Sequence, residues 1–491
     1  MIRKLVKYGV AFHVALLVIY SSWARGGSSS HYLWALPFLA LGVLEMMLVL
    51  PPAARGDTPE KSLSRLFRSL VRDPILYIGA ALLIFLTIQW MNGPCELVED
   101  AEAFSGWKYT DPPSPSLPFC VDRPEALQPL IWFLAVVVAV LAVRNSLKQS
   151  ARFFVLKCIA VNGALLSLLG FAQLLTCPGK LYWYRVMPVY FFSTFGYPNH
   201  AGTFFTMTTA ITIGLLIRAI GDPEHRRESG WLTLAFIFNA AGIYGSLCRA
   251  AIIMGSLIIA AFFIYAIFYL YSRVSRPRLL ATAAVAFFIA VCATILAVTP
   301  GSPLKAELDT VDWSNFSSSI YAGDRKELAQ GALDIWQDYP WTGVGGWGFR
   351  RYIGLYWPEE KWDALLGHGR ANVHNDAIQF LCEHGMIGFG LMLAMAIVLI
   401  VHGLIGVIMG RREVDLRTMR RRTWLGSVSP CAWGVMAAAA AMAMHSTLDL
   451  PFRSVANTLI WFIGLACLPG LTPRRRTSDT KAAQTPASTT H

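Results

Sequence analysis

The stretch VHNDAIQFLCEHG at residues 373–385 runs directly into MIGFGLMLAMAIVLIVHGLIGVIM at residues 386–409. The second segment has no Lys, Arg, Asp or Glu and is longer than the ~20 apolar residues that a helix needs to cross a bilayer. The first segment has apolar residues at helical spacing (Ile378, Leu381 and Cys382) and a histidine near its start. This order predicts a solvent-accessible helix start beside a membrane surface, followed by a transmembrane helix.

Apolar runs of this kind recur along the whole chain. The 491 residues are 55% hydrophobic, 15% are charged and the mean hydropathy is +0.48, whereas about 25% of the residues of a soluble protein are charged. A backbone in lipid must satisfy its own hydrogen bonds, and these runs do not alternate as barrel strands would, so they predict helices. We expect an all-α integral membrane protein with about twelve spans, near residues 5–22, 31–50, 74–91, 128–143, 153–175, 201–220, 231–247, 250–271, 279–298, 386–409, 431–447 and 456–469.

The basic residues predict the orientation of these spans. If the N-terminus is cytoplasmic, 28 of the 42 Lys and Arg residues fall in cytoplasmic segments, as the positive-inside rule requires. Both termini are then cytoplasmic, and three large loops near 92–127, 176–200 and 299–385 lie outside, in a bacterial periplasm if the membrane is an inner membrane. The net charge of +12 therefore indicates topology and contact with anionic lipid rather than nucleic-acid binding.

These spans divide the chain into four predicted parts. Residues 1–298 would form transmembrane helices 1–9, residues 299–385 a partly helical periplasmic loop, residues 386–470 helices 10–12, and residues 471–491 a disordered cytoplasmic tail. In the first external loop, Cys95 and Cys120 bracket a proline-rich segment. An oxidising compartment would allow them to form a disulfide, and otherwise they remain free thiols.

His374 is the main catalytic candidate. It opens the pattern H-N-x9-G-x-x-G, in which Asn375 can cap the following helix and Gly385 can end it. The positive end of a helix dipole disfavours an imidazolium, and a neutral imidazole can act as a general base. The alternative is a surface histidine beside a helix cap.

Two arginines on the predicted outer side are candidates for binding an anion. Arg249 lies in a short turn between two spans, and Arg325 opens a helix of the large loop. A guanidinium binds phosphate in bidentate fashion, so two of them suit a diphosphate. The alternatives are a lipid head-group contact for Arg249 and a local pair with Asp324 or Glu327 for Arg325.

Other polar residues on that side could support a substrate site. Asn199, in the turn into the sixth span, either caps that helix or contacts sugar. His445 and Asp449 close the eleventh span; the aspartate either pairs with Arg453 or orients a base. Basic residues among aromatic ones would suit lipid head groups or glycan, and the chain has such a patch at Lys180 and Arg185.

Several familiar patterns are missing from the sequence. It has no Asp-x-Asp pair, so a metal-dependent sugar-nucleotide site has no obvious ligands, and no metal is predicted. It also has no P-loop or dinucleotide-binding glycine pattern in a strand–helix context, and no cofactor is predicted. Few ionisable groups fall within the predicted spans, with Glu45 and His402 the main ones, and this argues against an ion-coupled transporter.

In combination these motifs resemble the O-antigen ligase and O-antigen polymerase superfamily. The resemblance rests on H-N-x9-G-x-x-G, on the two outer arginines, and on the run D-x-P-W-x-G-V-G-x-x-x-F from Asp338 to Phe349. The turn Gly-Tyr-Pro-Asn at 196–199 and the run His-Ser-x-x-Asp-x-Pro at 445–451 are similar to that family as well. The similarity is concentrated in residues 190–460. One departure is Ile253, where the ligase pattern Arg-x-x-x-Leu often has leucine.

The resemblance implies a polytopic glycosyltransferase of the GT-C type that needs neither metal nor nucleotide. Its donor would be a glycan on a polyprenyl pyrophosphate such as undecaprenyl pyrophosphate. Arg249 and Arg325 would bind the diphosphate, and His374 would take the proton of an acceptor hydroxyl as the anomeric configuration inverts.

The acceptor and the functional class have alternatives. The acceptor could be a lipid A-core sugar (ligase), the growing glycan (polymerase) or a protein hydroxyl, and the motifs favour the ligase. A polytopic transporter is the alternative from another class; it would have charges at the middle of the bilayer. A catalytically inactive family member would be expected to lack one of the three main candidates, and all three are present.

Overall fold

A computed structural model describes most of the chain. The described residues are 2–27, 33–53, 57–100, 106–187, 190–271, 305–306, 309, 325–357, 371–418 and 428–471. The predicted ninth span, 279–298, and the tail beyond Leu471 lie outside them. The division into four parts therefore stays a prediction.

The described residues form fourteen α-helices, numbered here in chain order. They are α1 Ile2–Trp23, α2 Ala35–Val49, α3 Pro59–Val71, α4 Pro74–Met91, α5 Arg123–Asn145, α6 Gln149–Thr176, α7 Pro198–Gly221, α8 Ser229–Gly245, α9 Arg249–Tyr271, α10 Arg325–Asp338, α11 Phe349–Tyr352, α12 Asp376–Thr418, α13 Pro430–His445 and α14 Val455–Cys467. Short 3-10 turns lie at Arg25–Gly27, Arg226–Glu228, Ile353–Leu355, Pro451–Arg453 and Leu468–Gly470.

The helices are compatible with the predicted all-α membrane protein. Six of them, α4, α5, α6, α7, α9 and α12, are long and apolar enough to cross a membrane, and α1, α2 and α14 contain shorter apolar stretches. Eleven of the twelve predicted apolar runs coincide with described helices. The count of twelve spans itself stays a prediction.

Local sequence explains where several helices begin. The Asp122 carboxylate accepts a hydrogen bond from the Glu125 N–H at the start of α5 (3.0 Å). Asp73 caps α4 in the same way, and the Thr58 hydroxyl caps α3. Each of these helices has a proline in its first turn, where the missing N–H costs nothing.

Helices α5 and α7 form the centre of the bundle. The apolar windows of α7 and α5 are 83% and 78% buried inside the protein, against 28% for α9 and α12. Glycines let α7 approach α13 closely: a Cβ on Gly434 would lie 2.5 Å from the Ala210 carbonyl oxygen, and one on Gly214 would lie 2.6 Å from that of Pro430. Backbone contact between small residues is the usual way in which membrane helices pack.

Two hairpins, which the sequence did not predict, interrupt the helical fold. Strands β1 (Leu97–Glu99) and β2 (Trp107–Tyr109) pair antiparallel with Val98 opposite Lys108. Strands β3 (Lys180–Leu181) and β4 (Arg185–Val186) pair with Leu181 opposite Arg185. Both hairpins lie in predicted external loops.

The two cysteines of the first external loop are free and buried. Burial raises the pKa of the Cys95 thiol to about 11 and that of the Cys120 thiol to about 12. Because both thiols are free, the disulfide considered from the sequence is not formed in this structure.

A small second core covers one end of the bundle. It is built from apolar residues of α10 (Leu328, Ala332 and Ile335) together with side chains such as Phe349 and Cys382. The end of α13 is joined to the start of α12 by a hydrogen bond from the Asp376 N–H to the Ser446 carbonyl (2.9 Å). These contacts determine where the polar candidates meet.

Candidate active site

His374 lies immediately before α12 in a left-handed backbone conformation (φ +55°). The next residue, Asn375, caps the helix as predicted: its Oδ1 accepts a hydrogen bond from the Ile378 N–H (3.1 Å), and its Nδ2 donates to the Thr447 carbonyl (3.3 Å). A non-glycine residue with positive φ is uncommon, and its energetic cost is tolerated only where the surrounding structure holds the residue in place. The strained backbone and the cap together fix where the imidazole lies.

The imidazole faces a buried carboxylate. Nδ1 of His374 lies 3.5 Å from Oδ2 of Asp449, and the His374 side chain is 28% exposed while that of Asp449 is 2% exposed. The same carboxylate accepts hydrogen bonds from the Tyr197 hydroxyl (2.7 Å) and from Nδ2 of Asn199. Its other oxygen accepts from the Leu450 N–H (2.7 Å).

This environment keeps Asp449 ionised. Burial alone would raise the pKa of its carboxyl group, but His374, His445 and the Tyr197 hydroxyl lower that pKa below its usual range. The Tyr197 hydroxyl responds in the opposite direction, since burial and the neighbouring carboxylate raise its pKa. The pair is therefore a carboxylate and a neutral phenol, and the negative charge is directed at Nδ1 of His374.

His445 lies behind this pair and is not exposed. It is 1% exposed, its Nδ1 lies 2.6 Å from the Thr203 hydroxyl, and its Nε2 lies 3.8 Å from the Cys248 sulfur. It is thus a polar neighbour of Asp449 inside the bundle rather than a group that faces solvent.

A pocket opens beside His374. It has a volume of about 190 Å³ and is lined by Arg325, Lys326, His374 and Asn375, with Leu448 among its other walls. Nη1 of Arg325 donates to the Leu448 carbonyl (3.3 Å), which directs this guanidinium toward the same loop that carries Asp449. Two cations, an imidazole and an amide thus border one cavity.

Arg249 belongs to the same end of the molecule. It is the first residue of α9, is exposed, and follows Cys248, whose sulfur contacts His445. It does not line the pocket beside His374. Of the two arginines predicted to bind an anion, Arg325 lines this pocket and Arg249 does not. Lys326 supplies the second cation of the pocket.

Lys180 and Arg185 lie apart from this pocket. Both are exposed on the β3–β4 hairpin. The turn of that hairpin contacts α1 and α6, since the Tyr182 hydroxyl donates to the Trp23 carbonyl and the Tyr182 N–H donates to the Gln173 side chain (2.6 Å). The described contacts do not join this pair to His374.

A comparison with known protein families gives a match to part of the chain. Residues 234–393, about a third of the chain, match the family model described as O-antigen ligase. This match supports the resemblance of the chain to the O-antigen ligase superfamily. A search of curated proteins finds no match.

The O-antigen ligase match covers only part of the site. It includes Arg249, Arg325 and His374 and ends before Asp449. Asn199 and Tyr197, which bind the Asp449 carboxylate, lie before it. The site beside His374 is thus completed by residues from both sides of the matched region.

A buried ionic cluster beneath the site was missed by the sequence analysis. Nη1 of Arg453 donates to Oε2 of Glu383 (2.7 Å), its Nε lies 3.7 Å from Oδ1 of Asp376, and its guanidinium lies over the Phe380 ring. One alternative from the sequence was that Asp449 pairs with Arg453. That alternative is wrong, because the Asp449 carboxylate faces His374 and the Arg453 guanidinium faces Glu383. The only hint in the sequence was an arginine beside the predicted outer end of a span.

Glycines allow the run from Asp338 to Phe349 to lie directly against the segment that follows His374. Gly385 has φ +60°, and a Cβ there would lie 2.3 Å from the carbonyl carbon of Trp341. Gly343 has φ +66°, and a Cβ there would lie 2.4 Å from the carbonyl carbon of Glu383. The run from Asp338 to Phe349 therefore packs backbone to backbone against α12. Because His374 directly precedes α12, this contact helps to hold it in place.

The described residues contain no group of three or more His, Cys, Asp or Glu side chains arranged to hold a metal ion.

Proposed function

We propose that this O-antigen ligase family membrane protein is a metal-independent, inverting glycosyltransferase. It would transfer a glycan from a polyprenyl-pyrophosphate carrier to the hydroxyl of a lipid A-core sugar, on the periplasmic side of a bacterial inner membrane. One observation carries the proposal: a single cavity is bordered by Arg325, Lys326 and an imidazole whose Nδ1 faces the ionised Asp449.

His374 would act as the general base. With its Nδ1–H directed at Asp449, the lone pair on Nε2 is available to an acceptor hydroxyl. As that oxygen forms a bond to the anomeric carbon, the bond from this carbon to the diphosphate oxygen breaks, and the diphosphate leaves with the electron pair. The proton passes to Nε2, and the Asp449 carboxylate stabilises the imidazolium that results. Attack opposite to the leaving group inverts the anomeric configuration.

The cations would bind the leaving group. Arg325 and Lys326 border the cavity, and a guanidinium can donate two parallel hydrogen bonds to phosphate oxygens. Charge develops on the diphosphate as the sugar departs, so fixed cations lower the barrier. Arg249, exposed at the start of α9 on the same side, would contact the outer part of the same diphosphate or the lipid surface.

The acceptor has alternatives within the family. A growing glycan or a protein hydroxyl would use the same base and the same leaving group. The exposed Lys180 and Arg185, with Tyr184 between them, would contact glycan or lipid head groups away from the reacting bond.

The buried charges support transfer rather than transport. Among the described residues, the buried carboxylates at this end of the bundle (Asp376, Glu383 and Asp449) and the buried Arg453 lie within or next to the His374 site. A transporter would be expected to place such groups midway along its spans.

The decisive experiment combines purified protein, lipid-linked glycan and separate candidate acceptors. His374→Ala should lower transfer by 10²–10⁴-fold, the usual contribution of a general base, while the protein inserts and is recovered normally. His225→Ala is the matched control, because His225 also faces an aspartate (Asp222, 2.9 Å). It follows the end of α7, whereas Asn199, which contacts Asp449, lies at the start of that helix. Full activity of His374→Ala would remove the general-base role.

The donor site has its own test. Arg325→Ala should raise the KM for the lipid-linked donor more than the KM for the acceptor, since its role is to bind diphosphate. Arg351→Ala is the control, because this arginine lies in the same loop but pairs with Asp122 (2.6 Å). An unchanged donor KM would contradict the diphosphate role.

A further inference from the structure

A second, larger cavity lies far from His374 and is strongly basic. Its volume is about 660 Å³, and its lining includes five arginines (Arg65, Arg68, Arg72, Arg144 and Arg152) and a single carboxylate, Asp73. Cavities of this size commonly hold small ligands. The excess of arginine predicts that this ligand is an anion.

This basic cavity lies at the opposite end of the bundle from the candidate active site. Asp73 precedes α4, whereas Gln89, near the other end of that helix, donates to the Glu383 carbonyl (3.1 Å) beside the site. The 18 residues of α4 are about 27 Å long at 1.5 Å per residue. The two cavities thus open toward opposite membrane surfaces, and the basic cavity is on the predicted cytoplasmic side.

The one carboxylate of the cavity, that of Asp73, is already hydrogen-bonded to other side chains of the protein. Asp73 accepts two hydrogen bonds from the Arg144 guanidinium, at 2.7 and 2.9 Å, and a third from the Asn145 side chain (3.0 Å). It is buried, and its charge is balanced by Arg144. Arg68 and Arg72 therefore add positive charge to the cavity that Asp73 does not neutralise.

Arg68 lies on α3 and Arg72 directly follows it, and α3 is an amphipathic helix. In α3, Leu66 is fully buried, whereas Phe67 is 51% exposed and Val71 is 57% exposed. A short helix with apolar side chains exposed beside arginines is typical of a segment that lies in the membrane interface. At that depth the nearest phosphates are those of lipid head groups.

We infer that this cavity binds the phosphate of an anionic phospholipid, with Arg68 and Arg72 contacting the head group and Phe67 and Val71 contacting its acyl chains. A phosphate there would approach α3 from the membrane side, where basic pockets between transmembrane helices meet lipid. Bound lipid would link α3 to the ends of α5 and α6. This site is independent of the proposed glycosyl transfer.

The test uses full-length protein in a mild detergent and compares three probes. They are dioctanoyl phosphatidylglycerol, dioctanoyl phosphatidylcholine and inorganic pyrophosphate, with binding followed by native mass spectrometry. Wild-type protein should retain phosphatidylglycerol preferentially. The double variant R68A/R72A should weaken that binding about 30-fold, which is about 2 kcal/mol at about 1 kcal/mol per basic residue and 1.4 kcal/mol per tenfold.

Two further variants separate a site from general charge. R226A/R227A removes the same charge from the turn before α8, outside the cavity, and should change binding less than twofold. R68K/R72K preserves the charge and should lose less than tenfold, and it remains informative if the alanine pair is recovered poorly. Equal binding in R68A/R72A, equal retention of phosphatidylcholine, or tighter binding of pyrophosphate than of lipid would each overturn the inference.

Discussion

Asp449→Asn would isolate the effect of one negative charge beside His374. The amide has nearly the size of the carboxylate and can still accept a hydrogen bond from the Tyr197 hydroxyl, so the turn should keep its shape. The change removes a charge 3.5 Å from Nδ1 of His374. Coulomb's law with an effective dielectric constant of about 20 gives roughly 4–5 kcal/mol for this pair.

Solvent reduces that figure, since the His374 side chain is 28% exposed. We take about half, roughly 2–3 kcal/mol, as the stabilisation of the transition-state imidazolium that the variant loses. At 1.36 kcal/mol per tenfold, this predicts a fall in kcat of roughly 30- to 150-fold. The amide nitrogen would also face the Leu450 N–H, which costs about 1 kcal/mol of folding free energy and would lower Tm rather than kcat.

The assay measures kcat and KM with purified protein, lipid-linked glycan and the acceptor that supports turnover. The KM for the donor should change less than threefold, because Asp449 does not border the cation pocket.

Asp334→Asn is the matched control for Asp449→Asn. This carboxylate lies on α10 and accepts a hydrogen bond from Gln330 (2.9 Å), away from the imidazole. If kcat of Asp449→Asn stays within threefold of wild type, or falls no further than in the control, the electrostatic account of the pair is refuted.

Three further predictions concern stability, each read as Tm of the detergent-solubilised protein. Gly385→Ala should lower Tm and activity together, because its Cβ would lie 2.3 Å from backbone carbon in a left-handed conformation. Arg453→Ala should destabilise by about 3–5 kcal/mol, since it leaves the buried Glu383 unpaired. The lowered pKa of Asp449 stabilises the fold above the ordinary value of 3.8, so wild-type Tm should fall more steeply than that of Asp449→Asn as the pH drops below it.

Each of these has an outcome that contradicts it. A Gly385→Ala protein with wild-type Tm would mean that the run from Asp338 to Phe349 does not pack against α12 at Gly385 as described. For the ionic cluster, Arg453→Ala should be compared with Arg123→Ala, an exposed arginine bonded to the Met91 carbonyl (3.0 Å), and equal losses would argue against a special cost of burial. Parallel pH curves for wild type and Asp449→Asn would exclude the proposed linkage.

Local sequence was enough to predict the class of fold and part of the site. Apolar runs identified the helices because lipid requires each span to satisfy its own backbone hydrogen bonds. The Asn375 cap was also predicted, as was the end of the first helical segment at Gly385, whose non-helical backbone kinks α12. Both features depend on residues only a few positions apart. The hairpins β1–β2 and β3–β4 were not predicted, because strands of only two or three residues leave no clear alternating pattern in the sequence.

The composition of the site depended on packing. Asp449 and Arg453 lie in one turn, yet the carboxylate contacts His374 while the guanidinium reaches Glu383, 70 positions earlier in the chain. Which of two neighbouring side chains faces which helix depends on how α12 lies against α13 and α14. No local pattern encodes that angle.

By itself, then, the sequence determined that this is a helical membrane protein with a capped histidine at the start of a long apolar helix, because hydropathy and helix capping depend on short stretches of chain. Only the tertiary structure decided that Asp449 lies against that histidine and that arginines from α3, α5 and α6 border one cavity at the other end. The physical reason is that partners so distant in the chain are brought together by the packing of helices, which arises from many small contacts spread over the whole bundle.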